Sequence, residues 1–88
     1  MEFDWSNLPF SLDRSISLQD IEEAFEDPFA ITIPDVSHSE DEPRSIILGL
    51  SLLAIVLLVV HTERNERIRI ISARKATPSE RFQYESER

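Results

Sequence analysis

Residues 45–60 read "SIILGLSLLAIVLLVV", sixteen positions without a charge, and any fold of this chain must hide most of them from water. A membrane-spanning helix needs about 20 apolar residues, with about 17 as the lower edge, so the run is short for that purpose. Acidic sequence before it and arginines after it nevertheless suit a small single-pass protein. The alternative is two consecutive strands, since a strand covered on both faces reads as a continuous apolar run. Isoleucine and valine favour strands, although "SLLA" in the middle lacks the usual hairpin residues. Strands fit better, and no membrane partner is expected.

The flanking sequence supplies the other elements. Phe3 and Trp5 alternate with polar residues, which predicts a short N-terminal strand. In "NLPFSLDRS", Pro9 leaves room for a short helical turn at most. Ser17 and Asp20 form a capping box, and Ile16 and Ile21 stand at the positions of a hydrophobic staple. Leu18, Ile21, Ala24 and Phe25 then make one apolar helix face, which ends before Pro28. "FAITIP" predicts a strand closed by Pro34, followed by a polar loop over residues 35–43.

Strands are expected at about 44–50 and 53–61, with a turn around Arg64 and Asn65. A last strand at about 66–74 should point Ile68, Ile70 and Ser72 one way and Arg67, Arg69 and Ile71 the other. Thr77, Pro78 and Glu80 open a C-terminal helix as N-cap, N1 and N3. The sum is one α+β domain over residues 1–88, a small antiparallel sheet with packed helices.

Charge divides the chain. Residues 1–43 carry twelve Asp/Glu and one Arg, whereas residues 44–88 carry eight Lys/Arg and five Asp/Glu. Such asymmetry suggests a partner for one half, nucleic acid or a basic protein, or else pairing of the halves with each other. Cysteine is absent, so neither disulfides nor thiolate metal sites hold the fold.

Most reaction classes leave no trace. There is no Gly-x-Ser-x-Gly, no phosphate loop, no His-Glu-x-x-His and no dinucleotide fingerprint. His38 beside Glu40, Asp41 and Glu42 superficially resembles a metal site. A solvated acidic loop explains it better, and no metal or cofactor is expected.

The positive charge gathers in "VHTERNERIRIISARKA", residues 60–76. His61, Arg64, Arg67, Arg69, Arg74 and Lys75 could meet on an antiparallel hairpin. Guanidinium groups match phosphate oxygens with paired donors, which suits an RNA backbone. Arginines could stabilise the charged phosphorane of metal-free RNA cleavage while a histidine, Lys or Tyr assists proton transfer. The bland alternative is a solvent-facing strand whose arginines pair with the acidic half.

"MEFDW", "EEAFEDP", "HSEDEPR" and "VVHTERNERIRIISARKATPSERFQYE", in that order, resemble the BrnT family of type II toxin–antitoxin ribonucleases. The resemblance implies a compact RelE-like fold and a cytoplasmic toxin that degrades RNA without metal. It also implies a cognate BrnA-like antitoxin, joined to the toxin in a hetero-oligomer. Arg44, His61, Thr62, Arg64, Arg69, Ser72, Arg74 and Tyr84 fall on the family pattern. From these come the expected catalytic residues His61, Arg64, Arg69, Arg74 and Tyr84. Arg44, Arg67 and Lys75 are expected to bind RNA.

Two departures accompany the match. "LDRSIS" is about one helical turn shorter than the family's first helix, with Arg14 where its Lys-His-Gly turn has histidine. "SLLAIV" replaces a polar hairpin turn. A toxin homologue that binds its antitoxin but cuts weakly is the alternative these departures raise.

Overall fold

A computed structural model of the chain describes residues 2–6, 11–35 and 43–87. The elements run β1 (Phe3–Asp4), β2 (Ser11–Leu12), α1 (Leu18–Glu26), β3 (Ile31–Pro34), β4 (Ser45–Leu50), β5 (Val56–Arg64), β6 (Arg67–Lys75) and α2 (Pro78–Ser86). The apolar run of residues 45–60 becomes β4, a turn and the first part of β5. Among the described residues no helix is long and apolar enough to cross a membrane.

The sheet order is β1-β6-β5-β4-β3, and β2 also pairs with β6. Strands β3 to β6 are antiparallel, as expected. The expectation of a wholly antiparallel sheet needs one correction, because β1 and β2 both join β6 in parallel. The β5–β6 hairpin leaves the outer edge of a nine-residue strand unpaired. Two short segments complete it, Phe3–Asp4 beside Ile68 and Arg69, then Ser11–Leu12 beside Ser72 and Ala73. They follow each other along the direction of β6 and are parallel for that reason. Residues 7–10, around Pro9, lie outside the described residues, and Ser11–Leu12 is strand, not part of a short helical turn.

Both helices begin as their sequences direct. At α1 the Ser17 hydroxyl accepts from Asp20 N at 3.1 Å, and Asp20 Oδ2 accepts from Ser17 N at 2.8 Å. Thr77 and Glu80 repeat the arrangement at α2 with 3.2 and 2.8 Å. Each reciprocal pair satisfies two backbone donors that a helix start leaves without partners.

Helix α1 covers one face of the sheet. Ile21 and Ala24 pack there with Ile16, Ile47, Leu57, Val59, Ile70 and Ala73. The approach is close enough to require Gly49 in β4, since a Cβ at that position would lie 2.3 Å from the Ala24 carbonyl oxygen. A second, smaller cluster holds Leu48, Val56 and Tyr84 beneath α2, with Leu50, Leu58 and Ile31 against it.

The turn that "SLLA" had to make is built without glycine. Ala54 takes a left-handed backbone (φ 64°), a conformation that ordinarily favours Gly or Asn. The Ser51 amide donates to the Ile55 carbonyl at 2.9 Å, and the Ser51 hydroxyl accepts from the amides of Leu53 and Ile55 at 3.3 and 3.4 Å. Strand β5 therefore starts at Val56, not at residue 53. The β5–β6 turn places Asn65 (φ 53°) and Glu66 (φ 64°) between paired Arg64 and Arg67. Two consecutive left-handed residues match the right-handed twist of the flanking strands.

Candidate nucleic-acid interface

Strict alternation along β6 would separate the arginines. Arg67 and Arg69 would share a face, and Arg74 would take the other. The register prevents this: Val60 pairs with Ser72 while His61 pairs with Ile70, which leaves Ile71 as an extra residue in the ladder. A bulge of this kind shifts the alternation by one position. Ile70 and Ala73, three residues apart, consequently both pack beneath α1. The expected grouping of Ser72 with Ile68 and Ile70 is overturned, and Ser72 turns to the arginine side. Arg67, Arg69 and Arg74 now share the face on which α2 lies, together with Arg64 opposite Arg67.

Carboxylates meet several of these cations. Arg74 donates from both terminal nitrogens to Glu80, at 2.8 and 2.9 Å. This paired bond raises the Arg74 pKa and holds the Glu80 carboxyl at about 2. Arg67 Nε donates to Glu2 Oε2 at 3.2 Å. Asp4, aligned with Arg69 across the β1–β6 ladder, accepts from Ser6 N at 2.9 Å. Its pKa lies below the ordinary value, first through Ser6 and then through the charges of Arg69 and Arg67.

Arg69 lies between Arg67 and Arg74 along β6. Its Nε is buried and has no hydrogen-bond partner among the described residues. A buried donor of this kind is costly unless some acceptor reaches it. Opposite Arg69 on β5 is Thr62, whose hydroxyl donates to the Pro43 carbonyl at 2.6 Å. Arg44 immediately precedes β4, whose first residue pairs with His61, so its backbone reaches the same end of the sheet. An open polar cleft of about 530 Å³ lies alongside, lined by Asp4, Arg64, Asn65 and Arg67.

The other expected site residues lie elsewhere. His61 points beneath α1, buried, with its ring 4.8 Å from that of Phe25 in an edge-on contact. Burial lowers its pKa below 6.5. Tyr84 is buried under α2 and donates to Asp27 Oδ2. Lys75 pairs with Leu57, a residue of the α1 face, and its charge acts on Asp13. The structure thus sets Arg64, Arg67 and Arg69 near the hairpin end of one sheet face. Arg74 lies on the same face toward the other end of β6, beside the helix that carries Tyr84, while His61 and Lys75 fall on the α1 side.

Glu2 and Asp4 belong to this surface, although "MEFDW" entered only as part of the family resemblance and gave them no role at the arginines. Among the described residues no group of three or more His, Cys, Asp or Glu is placed to hold a metal. His38, Glu40, Asp41 and Glu42 lie outside the described residues.

None of the curated proteins matches the chain in sequence. The model of the family described as the ribonuclease toxin BrnT of type II toxin–antitoxin systems matches residues 10–80, which include the β5–β6 hairpin and its arginines. The chain belongs to the BrnT family of ribonuclease toxins.

Proposed function

We propose that this chain is a metal-independent endoribonuclease of the cytoplasm, held in check by a BrnA-like antitoxin in a hetero-oligomer. One observation carries the reading: the bulge at Ile71 puts Arg74 on the same sheet face as Arg64, Arg67 and Arg69, and the buried Nε of Arg69 has no hydrogen-bond partner among the described residues. An RNA phosphate would supply that acceptor. As the 2′-oxygen attacks phosphorus and the 5′-oxygen leaves, negative charge builds on the equatorial oxygens. Fixed guanidinium donors stabilise that charge more than they stabilise the ground state. Arg69 and Arg64 would hold the phosphate, with Arg67, Arg74 and Arg44 along the flanking backbone. His61 and Tyr84 enter as positioning residues, since both are buried beneath helices.

A second reading has its own support. Arg67 and Arg74 already pair with Glu2 and Glu80, and the imidazole of His61 lies on the opposite face of the sheet. A protein so arranged would bind its antitoxin while cutting RNA weakly. Loss of one proton-transfer group typically lowers a rate about 10²–10⁴-fold.

Purified chain incubated with RNA, with and without a chelator, separates the two. The first reading expects cleavage that survives chelation and is abolished by Arg69→Ala, with the melting temperature of the variant confirming its fold. RNA affinity should fall steeply with salt, and Arg69→Ala should reduce the slope by about 1. Intact RNA together with retained antitoxin binding would favour the second reading. Cleavage unchanged in Arg69→Ala would remove this face from the mechanism.

A further inference from the structure

We infer that the β4–β5 turn and α1 form a docking site for a basic segment of a partner protein, with one large apolar side chain as its anchor. This goes beyond the RNA-cleavage reading and concerns the other end of the sheet. Strand β5 separates this turn from Arg64, and nine residues at about 3.3 Å each place the two ends roughly 25–30 Å apart.

The site is apolar at its centre. Leu52 and Leu53, at 83% and 72% exposure, project from the turn. Leu52 forms a wall of two clefts of about 230 Å³ each. Pro28, Leu50 and Leu52 line the first, in which apolar surface predominates. Such a volume lies below the range of drug-sized ligand pockets and suits a single side chain.

Its form is fixed before any partner arrives. Glu23 Oε1 on α1 accepts the Leu52 amide at 2.9 Å, which ties the turn to the helix. Ser51 and the left-handed Ala54 hold the remaining backbone. Strained backbone that keeps two leucines in water conflicts with local stability, and such conflicts concentrate at functional surfaces.

Charge on the rim decides the occupant. Glu23, Glu26 and Asp27 border the first cleft, and Asp20 and Glu23 the second. The last turn of α1 holds no basic residue, so its carboxylates meet the negative end of the helix dipole. Lys75 and Arg81 line a separate cleft on the other side of the turn with Ala54 and Ile55. RNA and anionic membranes would be repelled there. A second copy presenting the same patch would set carboxylates against carboxylates. A partner segment with arginine or lysine on either side of its apolar anchor satisfies both the cleft and the rim.

The test uses a helical peptide of about fifteen residues that carries leucines along one stripe with flanking arginines. A peptide of the same composition with the stripe scrambled is the control. Titration of the whole chain should show saturable binding of the first peptide and weaker binding of the second. Leu52→Ser with Leu53→Ser, and separately Glu23→Gln with Glu26→Gln, should each weaken it by about tenfold or more. Arg69→Ala should leave it unchanged, so failure of the RNA reading would not imitate failure here. Equal binding of both peptides, or indifference to the leucine and glutamate variants, would overturn the inference. A dimer in solution that Leu52→Ser with Leu53→Ser dissociates would overturn it as well, in favour of a second copy.

Discussion

Tyr84 donates its hydroxyl to Asp27 Oδ2, the same oxygen that accepts the Leu50 amide at 2.9 Å. One carboxylate thereby joins the C-cap of α1, the last residue of β4 and the C-terminal helix. The other oxygen of Asp27 accepts from Phe29 N at 3.0 Å, fixing the path into β3. Residues far apart in sequence meet here for structural reasons.

Tyr84→Phe keeps the ring in its cluster and removes only the hydroxyl. Hydrogen bonds to charged groups contribute about 1.5–3 kcal/mol, so stability measured by urea unfolding should fall by about that amount. Any RNA cleavage by the folded variant should persist. A variant as stable as the parent but inactive would return Tyr84 to the chemistry.

Glu80 makes the fold sensitive to acid. Its carboxyl titrates at about 2 in the folded chain, against an ordinary 4.5. Between those values the unfolded chain takes up a proton that the folded chain refuses, so acidification favours unfolding. The contribution of the Arg74–Glu80 pair should be complete above about pH 5 and fade as pH falls toward 2. Glu80→Gln should flatten the dependence of unfolding free energy on pH within that window. Identical slopes for parent and variant would show that the pair adds no acid sensitivity.

Gly49 sets the distance between α1 and the sheet. The Cβ of Gly49→Ala would meet the backbone of Ala24, with no flexible side-chain tip able to give way. Overpacking a closed core costs about 1–3 kcal/mol, and a lowered urea midpoint with an unchanged slope should show it. Unaltered stability would mean that the helix lifts off the sheet without penalty.

How legible these relationships were depended on the distance over which each is decided. The capping boxes at Ser17 and Thr77 were plain in sequence, because both partners lie within four residues. The apolar run of β4 and β5 was plain for a similar reason, its length excluding most alternatives. The bulge at Ile71 was hidden, since alternation along β6 assumes regular pairing and only the register of β5 breaks it. His61 was grouped with the arginines by proximity in sequence, and strand geometry sent it to the other face. Ala54 gave no sign of a turn because its left-handed backbone is upheld by Ser51 and not by its own side chain. Glu2 and Asp4 reach the arginines only through the parallel pairing of β1.

That parallel pairing also governs how molecules meet one another. Strand β6 is nine residues long and rich in isoleucine, and an open edge of that kind templates strand addition between chains. Two separate two-residue strands, β1 and β2, occupy it here. The opposite border, β3, is four residues long and ends at Pro34, which has no amide hydrogen to offer. Loss of β1 and β2 would uncover the longest border of the sheet, and strand addition between molecules should then become easier.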